Sequence, residues 1–278
     1  MKIHQMFNLA KPAADDSFGV ELELEYNNNP VFSNEWKIEH DGSLRHMGFE
    51  YVMRRPMSFD ESVFALDNLK KAFDKGNNHP RATNLASSHI HINVAHLDFE
   101  EFKQLVALIM LFEPHIGKHG GQDRWLNYFA VSTQEGGLPL RELIACHDEE
   151  DFIKFIRNTA ARDWRYSGIN FVSVRKYGSL EIRYLGAQPD PRGVIPWLRF
   201  YDTLRNCAQG DIMWHKIFEL ASGGDLEVLK NTFNCPFDID RDDLIDGVRS
   251  AQDLVFPVFQ ERSGAPKNKT FNLTNYYR

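Results

Sequence analysis

Residues 18–26 read FGVELELEY, with Glu21, Glu23 and Glu25 at strict alternation and Val20, Leu22 and Leu24 between them. Alternation by two is the side-chain period of a β-strand, so the three carboxylates share one face of it. Such a face looks either into bulk water, as the wet side of an antiparallel sheet does, or into a site that uses negative charge. No Lys or Arg lies within the run to compensate the glutamates, and crowded like charges repel. Hard divalent cations such as Mg²⁺ are held by carboxylate oxygens, and imidazole nitrogen joins them where Mn²⁺ or a second site is used.

Three further segments alternate in the same way. SSHIHIN (87–93) puts His89, His91 and Asn93 on one face, with Ile90 and Ile92 on the other. In SLEIRYL (179–185) Glu181 and Arg183 share a face, and in FEYVMRR (49–55) Glu50 alternates with Val52 and Arg54. Each has an ordinary explanation when taken alone: surface histidines, or a cross-strand ion pair. Together, four strands offer acids, imidazoles and guanidinium groups opposite an apolar face. The chemistry that suits this set is phosphoryl transfer, in which a nucleotide triphosphate bridges carboxylate-held metals and an arginine stabilises charge on the transferred group. The chain has no GxxxxGK[ST] loop and no kinase-type glycine-rich loop. GKHGG (117–121) lacks the strand–loop–helix context of a P-loop and reads as a surface loop after a helix disrupted by Pro114.

The positioning elements follow from pattern. Asp41-Gly42 in WKIEHDGSL (36–44) predicts a hairpin turn, and residues 49–56 a strand stopped by Pro56. Ser58 and Glu61 form a capping box for a helix to Lys75, closed by Gly76. Residues 87–97 read as a strand. Asp98 then caps a helix with Phe102, Leu105, Val106, Ile109 and Phe112 on its buried face. A third helix is expected over 149–161, and strands over SGINFVSV (167–174) and 179–185, joined by a turn at RKYG. The last ninety or so residues are mainly helical, over 192–208, 211–222, 225–233 and 241–260. Strands mixed with helices, followed by a helical tail, predict an α+β fold in one domain spanning 1–278.

The composition is that of an ordinary globular chain of 278 residues, with 42% hydrophobic and 26% charged residues, long enough to bury a sizeable core. A net charge of −7 argues against nucleic-acid binding through phosphates. The longest apolar stretch, LVALIMLF (105–112), is too short to span a membrane. The N-terminus carries no apolar signal segment, and the cysteines at 146, 207 and 235 show no CxxC pairing, so reduced thiols and a cytoplasmic location are expected.

In this order, FGVELELE, DGSL…GFEYVMRRPM, SSHIHIN, RYSGINF and GSLEIRYLGAQPDP resemble the motifs of the putative amidoligases of phage and bacterial genomes. That family belongs to the glutamine synthetase / glutamate–cysteine ligase fold superfamily. The likeness runs over about residues 18–205. It implies an antiparallel, curved sheet with helices on its outer face and a polar concave face that holds ATP and two or more Mg²⁺ or Mn²⁺ ions. It also implies metal ligands at Glu21, Glu23, His89 and Glu181, with Glu50 as an additional one. Phosphate contacts fall to His91 and Arg183, a second arginine to Arg165 with Asn170 nearby, and Glu25 lies outside the motif. The implied activity is an ATP-dependent carboxylate–amine ligase acting through an acyl phosphate, with an amino acid, peptide or polyamine as acceptor. Residues 206–278 add packing helices and a surface available to a homo-oligomer. The competing expectations are a guanidino-kinase-type phosphotransferase, a non-catalytic phage protein retaining the fold, and a metal-dependent hydrolase using the same face.

Overall fold

A computed structural model describes residues 1–10, 14–27, 30–121, 131–132, 138–159 and 167–263 of the chain. In order, it forms α1 (Ile3–Met6), β1 (Phe18–Leu24), β2 (Trp36–Glu39), β3 (Phe49–Met53), α2 (Phe59–Lys75), β4 (Ser87–Asn93) and α3 (Phe99–Gly120). There follow α4 (Leu138–Ile144), α5 (Glu149–Thr159), β5 (Ile169–Asn170), α6 (Val172–Tyr177) and β6 (Ser179–Gly186). The last part holds α7 (Ile195–Ala208), α8 (Trp214–Gly223), α9 (Leu226–Phe233) and α10 (Arg241–Ser263). Among the described residues the architecture is therefore a mixed α/β one, a single open six-stranded sheet with ten helices.

The strands run in the order β2-β3-β1-β4-β6-β5, and every neighbouring pair is antiparallel. Register is set by the two-residue period, because a slip by one would turn the apolar set toward the polar side. Phe18 pairs with Ile92, Val20 with Ile90 and Ile90 with Ile182, and all are buried. This apolar face packs against helices: α3 lies along β6, and α7 meets β4. Arg205 of α7 is wholly buried. It donates to the Ser17 carbonyl at 3.2 Å and stacks over Phe18 at 4.7 Å, so the helix layer grips the residues that lead into β1.

The expected capping box at Ser58 is present, and the expected N-cap Asp98 proves to be part of a second one. The Ser58 hydroxyl accepts from the Glu61 amide at 3.4 Å and the Glu61 carboxylate from the Ser58 amide at 3.0 Å. Asp98 and Glu101 exchange the same pair of bonds at 3.0 and 2.8 Å. Such bonds satisfy amides that the first helical turn leaves without partners.

Three expectations from pattern are corrected. β2 turns back through residues 40–48 and pairs with β3, Glu39 opposite Glu50, so Asp41-Gly42 sits inside a longer connection and is not a two-residue hairpin turn. The strand expected over 167–174 is only Ile169–Asn170, after which Val172–Tyr177 forms α6, capped by Gly178 in the left-handed region at φ 68°. Proline does not disrupt the helix after Asp98: α3 runs through Pro114 to Gly120. GKHGG is thus mostly the last turn of α3. Pro114 removes one backbone donor, but α3 is buried on nearly all sides from Phe102 to Gly117, and that packing outweighs the loss.

The C-terminal helix α10 packs along α3. A Cβ on Gly247 would sit 1.9 Å from the Leu111 carbonyl oxygen, so only glycine admits this approach. The three cysteines are free, and no helix among the described residues is long and apolar enough to cross a membrane.

Candidate metal centre

The register stacks the polar residues in rows across the sheet. Glu21 lies opposite His89, and Glu23 opposite Glu50. Gly19 lies opposite His91, His91 opposite Glu181, and Glu181 opposite Asn170. Residues spread from position 21 to position 181 thus meet because antiparallel pairing aligns side chains of one parity.

Glu21 is the hub. His89 Nδ1 donates to one of its oxygens at 3.1 Å and His91 Nε2 to the other at 3.2 Å. Glu21, His91 and Glu181 place ligand atoms within 4.8 Å of one another, as do Glu21, Glu50 and His89, giving two overlapping triads that share Glu21. His89 Nδ1 also lies 3.7 Å from Glu181 Oε1. The Glu181 carboxylate is held on its Oε2 by Asn170 at 2.6 Å and Ser173 at 2.9 Å, while Arg183 Nη1 donates to its Oε1 at 2.5 Å. Ser87 donates to Glu23 and lies 2.8 Å from His89 Nε2. The Ser179 hydroxyl is 3.1 Å from His91 Nδ1.

The charges are unbalanced, and ionisation records it. Burial pushes the Glu50 carboxyl up to about 8, reinforced by the negative charges of Glu21, Glu23, Asp41 and Glu39. Burial alone would raise Glu21 as well, but hydrogen bonds from His89 and His91 outweigh it and hold Glu21 well below the usual range. Burial opposes charge on His91, yet its bond to Glu21 leaves it raised. Glu181 is lowered: the charges of His91, His89 and Arg183 outweigh its burial. A proton on Glu50 would lower the repulsion among these five acids. A divalent cation would remove the need for it. The donor set, carboxylate oxygen with imidazole nitrogen, suits Mg²⁺ or Mn²⁺.

Eight of the nine residues expected at the site converge: Glu21, Glu23, Glu50, His89, His91, Asn170, Glu181 and Arg183. Arg165 lies outside the described residues. Two placements differ in detail from the family pattern. His91 sits within ligand distance of Glu21 and Glu181, so both imidazoles are placed to ligate, and Glu23 belongs to neither triad. Glu25, beyond the end of β1, is wholly buried and accepts the Arg45 amide.

Sequence reasoning passed over the serines. Ser87 shares the parity of His89 and His91, which could have placed it on the polar face. Ser173 could not be found that way, because α6 replaces the expected strand.

A second feature of the polar face is a cleft of about 250 Å³ next to Glu21 and His91, floored by Gly19 and flanked by Arg54, Pro56 and Tyr177. Compared with known proteins, the chain matches no protein-family model and no curated protein.

Proposed function

We propose that the protein is an ATP- and Mg²⁺-dependent carboxylate–amine ligase, built on a glutamine synthetase-like sheet of the amidoligase kind. The observation that supports it is the pair of triads sharing Glu21, with Arg183 beside Glu181 on the same face. Glu21, Glu50, His89, His91 and Glu181 would hold divalent cations, whose charge would offset that of a triphosphate.

The side chains then divide the work. Glu21 turns one oxygen to each imidazole, so one residue serves two neighbouring positions. Asn170 and Ser173 occupy one oxygen of Glu181 and fix the other toward His89 and Arg183. Held there, the Arg183 guanidinium is oriented to stabilise negative charge on a transferred phosphoryl group. A free carboxylate would have to expel an oxide when an amine attacks. Conversion to an acyl phosphate provides a good leaving group, and the amide forms as phosphate departs.

A screen for ADP release across amino acids, peptides and polyamines, with mass spectrometry of the products, tests the reading. Amine-dependent ADP release with a new amide mass is the expected result. ADP release with a phosphorylated guanidine would make the protein a kinase, and amide cleavage without ATP would make it a hydrolase.

A further inference from the structure

The starts of α3 and α5 and the connection from α7 to α8 enclose a cavity of about 690 Å³. It shares no lining residue with the cleft over Gly19 or with the cation cluster. Six carboxylates line it: Asp98, Glu100 and Glu101 at the start of α3, Asp148 and Glu149 at the start of α5, and Asp211 after α7. Part of this charge has a local explanation, because acids suit helix N-termini, each of which carries about half a positive charge. Lys2 engages Glu101 at 2.8 Å and Asp98 at 3.5 Å, and the Met1 ammonium engages Glu149. These partners leave the cavity negative. Glu100 and Asp148 form no ion pair among the described residues.

Helix capping does not account for Gln104. It sits one turn beyond Glu100 on the same face of α3, lines the same cavity, and has only 6% of its surface exposed. Its amide makes no hydrogen bond among the described residues. A buried amide without a partner is costly, and this one opens only onto the acidic cavity. The acids themselves are spread out. Among the described residues, no three of them bring ligand oxygens within 4.8 Å of one another, the convergence that a single metal ion requires.

We propose that this cavity binds a linear polyamine, with its ammonium groups on Glu100 and Asp148 and an N–H donated to the Gln104 side-chain oxygen. Ammonium groups spaced along a methylene chain match carboxylates that are spread out, and each N–H to a carboxylate is a charge-assisted bond. Phe99 and Ala208 give the methylenes an apolar lining. Lys103, over the Phe99 ring at 5.0 Å, is not part of that lining. The site does not depend on the ligase reading, since none of its residues serves the cation cluster.

Calorimetry with spermidine tests the site, and Mn²⁺ titration by electron paramagnetic resonance reports on the cluster separately. The wild type should bind spermidine, and more weakly as salt rises. Glu100→Gln and Asp148→Asn should each weaken binding about threefold, and Gln104→Leu about tenfold. All three should take up Mn²⁺ as the wild type does. Asparagine at 148 can still accept the Asp151 amide that Asp148 caps at 2.9 Å. Glu100 and Asp148 are exposed, so their variants decide the matter even if Gln104→Leu fails to fold. Glu21→Gln should keep its spermidine affinity; loss there would move the polyamine to the cluster and overturn the proposal. A wild type that does not bind spermidine overturns it, as does equal affinity in the wild type and the Glu100 and Asp148 variants. Tighter binding of tetralysine than of spermidine also overturns it and would make the cavity a docking site for basic peptide. A wild type that binds spermidine but no Mn²⁺ would remove the ligase reading and leave this site intact.

Discussion

At the scale of single residues, the site turns on Glu21, whose two oxygens face two different imidazoles. Glu21→Gln leaves the shape nearly unchanged but removes the charge both triads need, so Mn²⁺ uptake should be lost, as read by Mn²⁺ titration with electron paramagnetic resonance. Ser87 acts one step back, holding Glu23 and touching His89. Ser87→Ala should weaken cation binding by about 10–100-fold, the range for partners that orient ligands. Glu50 gives a pH signature. Its ordinary value is 4.5 and in the folded chain it is about 8, so between those values the folded state holds a proton that the unfolded chain releases. Stability of the metal-free protein therefore falls as pH rises through that window. Glu21, lowered on folding, acts on the other limb: its contribution is present above 4.5 and is lost as pH falls below that value. Melting temperatures taken from pH 4.5 to 8 should decline less in Glu50→Gln than in the wild type. Added Mg²⁺ should flatten the wild-type decline and release protons.

At the scale of elements, legibility followed the kind of signal. Periodicity located all four site strands, and the parity of Glu21, His89 and Glu181 put them on one face, because strand geometry is local. The capping box at Ser58 and the N-cap at Asp98 were equally visible, since a cap bonds residues three apart. Asp98→Ala should cost about 1 kcal/mol in chemical denaturation. What failed was decided by long-range packing. Residues 172–174 alternate and are β-branched enough to read as strand, and 175–178 as a turn, yet 172–177 form a short helix that presses Ser173 onto Glu181. Pro114 should break a solvent-exposed helix, but α3 is sheathed by β6 and α10, and it continues. The contact with α10 makes its own prediction: Gly247→Ala drives a methyl into the Leu111 carbonyl. It should destabilise the fold by about 1–3 kcal/mol, as overpacking does, seen as a lower denaturation midpoint.

At the scale of the whole molecule, one sheet face is apolar and covered by helices, and the other gathers carboxylates, imidazoles and an arginine. Ligands that bind this face and not the unfolded chain should raise thermal stability; at a hundredfold excess over Kd the gain is about 2.7 kcal/mol. The expected shift is largest with Mg²⁺ and ATP together and is diminished in Glu21→Gln. The amino-acid sequence by itself determined which polar residues share a face of each strand, because alternation is written into the chain two residues at a time. It could not order the strands: that β1 lies between β3 and β4, and β6 beyond β4, depends on contacts between residues far apart in the chain. Only that order makes Glu21 common to both triads and opens the cleft beside Gly19. The bulge that turns Arg54 into its wall is likewise a product of tertiary structure, since it exists only where Phe18 pairs with Met57 while Glu21 pairs with Val52.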